Sequence, residues 1–357
     1  MRYLYLIICL LGLNSNLFAQ SVGLQSFIVN YAKEHQFNGT ILVKEDSRLL
    51  YHQSFGIADR RFNIPIINET EYKIASITKA FTAVLILQLS QEGKLDLNQT
   101  IKTYLPDYKG DAGTKVTIHQ LLNHTSGMRN LDTLHSISSA LKNGLGYYQK
   151  YYTPDQIMND FYSDSLVNIP GKKFDYNNGE YVILGKIIEA IDKKPYEEIL
   201  KDRILKPLKM NNTGLLNQQD IIPNLSSAYF FRKDINRLVS DLPYFIEDYY
   251  AAGAMYSCTT DLMKFSDALF GLKLIDKQML RLMINPGLDD YGYGVWIRDV
   301  KGANDKYARV ERYGSIMGVN VLLIHFLKKN VTVIMLSNTN LTDLGDYALK
   351  VGKEVIH

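Results

Sequence analysis

The stretch Ile74-Ala75-Ser76-Ile77-Thr78-Lys79-Ala80-Phe81-Thr82-Ala83-Val84-Leu85-Ile86-Leu87-Gln88-Leu89 is apolar on nearly every side after Lys79, with only Thr82 and Gln88 interrupting. Gly93 supplies a stop signal beyond it. A helix apolar all round is a buried, central one. Its first turn nevertheless carries Ser76 and Lys79, three apart and so on one face. A lysine drawn into a buried helix is costly unless something pairs or uses it, and burial favours its neutral, basic form. A serine hydroxyl becomes a nucleophile when a base takes its proton, and a helix N-terminus offers free N–H groups and a positive dipole end. The stretch therefore predicts nucleophile, base and anion site within one turn of a core helix. The competing reading makes Ser76 a cap and sends Lys79 to solvent. A second copy of the spacing, Ser139-Ala140-Leu141-Lys142, runs into Asn143-Gly144 in a polar segment, where its lysine can be solvated. The spacing is diagnostic only in its apolar context.

At 357 residues the chain suits one large domain or two interlocked ones. Hydrophobic content of 46% and charged content of 22% are those of a globular protein, and a net charge of +3 is too small to argue for nucleic acid. The start is different in kind. Met1-Arg2 is basic, Tyr3 to Leu13 is apolar, and Leu17-Phe18-Ala19 ends in a small residue before Gln20. Residues 1–19 read as an export signal, too short for an ordinary membrane span, and no later stretch is long enough to span a bilayer. Cleavage leaves one cysteine, Cys258, and no internal disulfide. Neither Cys258 nor the seven histidines show metal-ligand spacing; His119 and His124 are the nearest pair, and no acidic residue sits at a fitting offset. No metal or cofactor is expected.

Along the chain, Ser21 to His35 reads as an amphipathic helix, and Gly39 to Lys44 with Arg48 to Phe55 as a hairpin. Lys94 to Tyr108 reads as a packed loop, Val116 to Leu122 as a short helix, and Leu131 to Tyr162 as mostly helical with a tyrosine cluster at Tyr147, Tyr148, Tyr151 and Tyr152. Gly179 to Ile191, Pro195 to Leu205, Thr260 to Leu272 and Lys277 to Met283 read as helices, with Asn211 to Asp248 loop-rich. Tyr293 to Asp299, Val319 to Phe326 and Val331 to Leu336 are strands, and Leu341 to Val355 a closing helix. Strands cluster at both ends and helices fill the middle. The expected fold is α/β of the α+β kind: one antiparallel sheet built from both ends and flanked by helices, with a helical lobe inserted. The sheet lobe covers about 20–95 and 255–357, the helical lobe about 96–254, and the site lies between them.

Two more motifs bear on that site. In Pro170-Gly171-Lys172-Lys173-Phe174-Asp175-Tyr176-Asn177-Asn178-Gly179, a polar turn feeds an apolar helix and holds the chain's single Tyr-x-Asn. A tyrosine near an ammonium can titrate low enough for proton transfer, and an amide at Asn178 can hold a substrate carbonyl and fix the lysine. Alone, this is an ordinary turn. The third motif is Val310-Glu311-Arg312-Tyr313-Gly314-Ser315-Ile316-Met317-Gly318-Val319-Asn320, entering a strand. Gly314 and Gly318 permit close backbone approach, and a strand edge with a cation suits an extended acyl substrate bearing a carboxylate. Its bland alternative is a β-turn with a solvated arginine.

Taken together, the chain resembles the serine β-lactamase-related hydrolases: class C β-lactamases, D-alanyl-D-alanine carboxypeptidases and kindred esterases. The resemblance rests on Ala75 to Thr82, Gly93-Lys94-Leu95-Asp96-Leu97, Tyr104-Leu105-Pro106, Thr117 to Gly127, Tyr176-Asn177-Asn178, Pro207 to Leu215 and the segment after Ala252-Gly253, in the family's order from about Asn38 onward. It implies a serine acyl-enzyme. Ser76 would attack a carbonyl, Lys79 and Tyr176 would move the proton, and Asn178 would orient lysine and substrate. Backbone N–H groups of Ser76 and Ser315 would hold the oxyanion.

The departure is Arg312-Tyr313-Gly314, where the family usually has Lys or His, a small residue, then Gly. Arg312 keeps a cation and points to a bidentate carboxylate clamp, while Tyr313 is expected to narrow the acyl site. This bears on β-lactam turnover more than on ester or peptide hydrolysis. Two functions follow. One is an exported serine hydrolase, periplasmic or secreted, acting on an ester, a D-amino-acid peptide or a β-lactam, with a small-molecule or peptidoglycan-derived substrate. The other is a non-catalytic binder of cell-wall fragments on the same scaffold, its tyrosines stacking on sugars.

Overall fold

A computed structural model describes residues 23–131, 137–299 and 307–356. The expected leader at 1–19 lies outside the described residues, as do 132–136 of the stretch expected to be helical.

A first helix, α1, covers 23–34. The hairpin follows as β1 (Gly39–Glu45) and β2 (Arg48–Phe55). The central helix α2 is Thr78–Gln91, preceded by a 3-10 turn at Ala75–Ile77. Helix α3 is Asn178–Asp192 and α4 is Thr259–Phe270. The late strands are β3 (Trp296–Arg298), β4 (Arg309–Ile316), β5 (Val319–Phe326) and β6 (Val331–Ser337), closed by α5 (Leu344–Ile356).

Both ends of the chain build one antiparallel sheet, as the sequence pattern predicts, and its strands run in the order β3-β4-β5-β6-β1-β2. Its seam joins β1 to β6, with Gly39 opposite Ser337 and Val43 opposite Val333. The period of two sorts the side chains. Ile41, Val43, Leu322, Ile324, Val333 and Met335 pack with α1 and α5 on one face, whereas Leu42, Val321, Leu323, Ile334 and Leu336 join the larger core of α2 and α4 on the other.

Helix α2 sits in that larger core with every residue from Thr78 to Leu87 buried. Phe81 stacks on Phe265 of α4, ring centroids 3.9 Å apart. Phe81→Ala is expected to cost about 3–5 kcal/mol in equilibrium urea unfolding, the range for emptying a buried phenyl site.

Several local readings change. The strand expected over Tyr293 to Asp299 is confined to β3, because Gly292 and Gly294 turn the chain to pack against α2: a Cβ on Gly294, whose φ is +75°, would lie 2.8 Å from the Lys79 carbonyl oxygen. The loop after α2 contains a helical turn at Ile101–Tyr104. The stretch expected to be mostly helical over 131–162 consists, among its described residues, of short pieces: Ile137–Asn143, a 3-10 turn at Gly146–Gln149, Pro154–Gln156 and a π turn at Ile157–Phe161. The loop-rich 211–248 holds a small hairpin, Tyr229–Arg232 with Arg237–Ser240.

Candidate active site

Ser76 lies in the 3-10 turn that launches α2, and the residue before it is strained. Ala75 has φ +46°, the left-handed region that costs a residue with a Cβ about 1 kcal/mol or more. The backbone is held there by β4, which runs against it: a Cβ on Gly314 would lie 2.3 Å from the Ile74 carbonyl oxygen. Glycine at 314 is what lets the strand reach the Ser76 turn.

Helix α3 brings the second motif. Asn177 accepts the Gly179 N–H on its side chain at 2.9 Å and caps the helix, placing Asn178 at its first position. Lys79 is fully buried. Its Nζ lies 3.3 Å from Ser76 Oγ, 2.5 Å from Asn178 Oδ1 and 2.9 Å from the Ala252 carbonyl oxygen. Two N–H bonds go to Asn178 Oδ1 and the Ala252 carbonyl, and the Ser76 hydroxyl, donor and acceptor both, meets the nitrogen in a way that suits either a third N–H of an ammonium or the lone pair of a neutral amine.

Tyr176 Oη lies 2.8 Å from Ser76 Oγ. Burial pushes its phenol up, but the Arg312 and Lys79 cations and the hydrogen bonds around it pull further the other way, leaving it below its ordinary value. Lys79 Nζ also sits over the Tyr176 ring, 4.8 Å from its centroid, and Trp296 stacks on that ring at 5.9 Å.

Arg312 departs from the sequence reading. It is 1% exposed. Its Nε donates to the Ser76 carbonyl at 2.5 Å, one terminal nitrogen to Tyr291 Oη at 3.0 Å and the other to Tyr176 Oη at 2.6 Å. The fork expected to meet a substrate carboxylate is turned inward onto the phenol. Tyr313 is corrected too. Strand alternation sends it to the opposite face, against the α1–α5 core, so it does not narrow the site.

The third motif is strand β4 itself, followed by the two-residue turn Met317-Gly318. That turn makes Ile316–Val319 the hydrogen-bonded closing pair, so Ser315 opposite Asn320 turns its N–H away from β5. β3 pairs only with Arg309 to Glu311. Ser315 therefore presents its N–H on an edge that β3 leaves uncovered, beside the Ser76 turn. Such an edge can take an extended ligand as an added strand.

Sequence reasoning missed several participants. Tyr148, which stacks on Tyr249 with centroids 4.0 Å apart, accepts from Asn178 Nδ2 at 3.3 Å. Tyr291, Trp296 and the Ala252 carbonyl also complete the surroundings, and nothing in their local sequence marks them. His124 lies under Tyr176, ring centroids 4.4 Å apart, hydrogen-bonded through Nδ1 to Glu180. Its acidic partner is 56 positions away, beyond the reach of spacing rules.

The sequence profile of the family described as Beta-lactamase matches residues 24–353. Penicillin-binding protein 4* of Bacillus subtilis (strain 168) is 28% identical, the alignment covering 88% of this chain and 71% of that protein. The teichoic acid D-alanine hydrolase of Staphylococcus aureus is 27% identical over 74% of this chain and 61% of its own length. Among solved structures, the D-amino acid amidase of Ochrobactrum anthropi SV3 superposes with a TM-score of 0.78 at 21% identity, covering 93% of this chain and 99% of that one.

Proposed function

The chain belongs to the beta-lactamase family of serine hydrolases, and on that footing we propose that it hydrolyses esters or amides of D-amino acids through an acyl-enzyme on Ser76. One observation carries the reading: Ser76 Oγ lies within hydrogen-bond reach of a phenol held low in pKa by two buried cations. Tyr176, as phenolate, takes the Ser76 proton. Oγ bonds to the substrate carbonyl carbon, and the oxyanion forms between the N–H groups of Ser76 and Ser315. Tyr176 then returns the proton to the departing alcohol or amine as that bond breaks. Water, deprotonated by the same phenol, cleaves the acyl-enzyme. Lys79 stays an ammonium that steadies Oγ and Asn178.

The D-amino-acid preference is supported by the relatives, one named for D-alanine on teichoic acid and one for D-amino acid amides. The inward-turned Arg312 bears on a separate choice: a substrate carboxylate finds no open fork there, which disfavours β-lactams. The pattern of residues 1–19 supports export.

A fluorophosphonate probe is expected to label the wild type on the peptide containing Ser76, with Ser76→Ala as the blank. D-alanyl esters should be cleaved faster than their L counterparts and faster than a penicillin. Absence of labelling and of Ser76-dependent turnover with every probe would leave a binding protein for cell-wall fragments as the better reading.

A further inference from the structure

Directly beneath Tyr176 is a pair that the acyl-transfer steps do not use. His124 and Glu180 are both buried, at 0% and 1% exposure, and hydrogen-bonded to each other through Nδ1 and a carboxyl oxygen. The imidazole packs among aromatic rings, Tyr176 at 4.4 Å, Tyr291 at 4.9 Å and Tyr181 at 5.3 Å between centroids. Its Nε2 has no hydrogen-bond partner among the described residues. The pair is stitched to the turn that carries the phenol. The Asn177 N–H points at His124 Nδ1 at 3.3 Å, and the Asp175 N–H donates to the His124 carbonyl at 2.9 Å. The Ser126 N–H reaches the other Glu180 oxygen at 3.4 Å. Residues on both sides of Tyr176 in sequence are thus tied to the loop at 124–126.

We propose that His124 and Glu180 are positioning residues for Tyr176: a buried unit that shares one proton, carries no net charge, and holds the phenol at the meeting point of Lys79, Arg312 and Ser76. The charge state matters because of what faces it. Lys79 and Arg312 contribute positive charge, Asp175 negative, and Tyr181 and Tyr291 stand as neutral phenols. A charged carboxylate under Tyr176 would oppose the two cations and push the phenol back up. An imidazolium would add a third cation to a region that has little solvent. Burial, then the Lys79 and Arg312 charges, hold the imidazole well below its ordinary range, and burial holds the Glu180 carboxyl well above its own. Both directions agree with a neutral pair. The acid limb of activity then belongs to Tyr176, although a histidine lies beneath it.

This inference rests on Tyr176 being the base proposed above, and the test separates the two because one readout needs no turnover. Trp296 is the chain's single tryptophan and stacks on Tyr176. Ionisation of the phenol should quench its emission, with Tyr176→Phe as the blank. The quench midpoint and the acid limb of kcat/KM on an aryl ester would be measured for wild type, Glu180→Gln, His124→Ala and His124→Asn. Glu180→Gln keeps the shape and a donor to Nδ1. It should lower kcat about threefold while leaving the midpoint within a few tenths of a pH unit, as befits swapping one neutral partner for another. His124→Ala should lower kcat by about 10- to 100-fold, the scale of a misplaced reacting group, and move the midpoint upward as the phenol drifts from its cations. His124→Asn should recover part of both. A downward shift of about one unit or more in Glu180→Gln would mean that an ionised carboxylate lay there and would overturn the neutral pair. Unchanged kcat and midpoint in His124→Ala would overturn the positioning role. If that variant does not fold by circular dichroism, the same two readings on His124→Asn decide. A normal quench titration without Ser76-dependent turnover would sink the hydrolase and leave the pair standing.

Discussion

Tyr176→Phe is expected to lower kcat for a D-aminoacyl ester by about 10³- to 10⁴-fold, the upper range for loss of a general base, with KM little changed. The phenol is 2.8 Å from Ser76 Oγ and receives a hydrogen bond from Arg312, so its oxygen is the basic atom pointed at the nucleophile. Lys79 Nζ is farther, at 3.3 Å, and hydrogen-bonds Asn178 Oδ1 and the Ala252 carbonyl; in the proposed mechanism it stays an ammonium, with no lone pair to offer. The two assignments separate cleanly. A variant that keeps activity within tenfold of wild type would hand the base role back to Lys79. In the wild type, kcat/KM should rise with pH as Tyr176 loses its proton. Because the phenol titrates below its ordinary value, that rise falls at a lower pH than a free tyrosine would give.

Arg312→Met is expected to lower kcat at neutral pH by about 10- to 100-fold and to move the acid limb upward by about one to two pH units, the effect of removing a cation in contact with an acid. The sign follows from the phenol. Without the guanidinium, its charged form is less favoured, its pKa rises, and less of it is ionised at a given pH. Arg312→Lys should recover part of the loss, since it restores charge without the fork that reaches Ser76, Tyr176 and Tyr291 together. The loss should be equal for carboxylate-bearing and neutral esters. A rise in KM confined to carboxylate-bearing substrates, with kcat and acid limb unmoved, would restore the clamp.

The legible and the illegible parts of this molecule divide along physical lines. The sheet was readable because β1, β5 and β6 are nearly continuous runs of apolar and β-branched residues, buried on both faces, and the seam between the ends followed from having strands nowhere else in quantity. Ser76, Lys79, Tyr176 and Asn178 announced themselves as polar groups at the mouths of two apolar helices. The direction of Arg312 did not. Period two does say that Arg312 and Gly314 share a face and that Tyr313 does not, and this signal was available for Tyr313. Which neighbours the arginine would meet depends on tertiary packing, with Ser76 and Tyr176 more than a hundred positions away and Tyr291 across the turn before β3. The helical middle was least readable, because π and 3-10 turns at 146–161 interrupt a stretch that composition alone presents only as mostly helical. The His124–Glu180 contact is likewise a product of tertiary packing.

The close approach of Gly314 to Ile74 has a consequence for timing. Synthesis proceeds from the N-terminus, so serine, lysine, tyrosine and asparagine all emerge long before residues 309–316. Until that late segment arrives, Ser76 lacks the Ser315 N–H proposed for the oxyanion, the Arg312 guanidinium and the strand that packs against Ala75. A growing polypeptide that has not yet reached β4 therefore lacks part of this arrangement, and the proposed chemistry switches on only once that strand is in place.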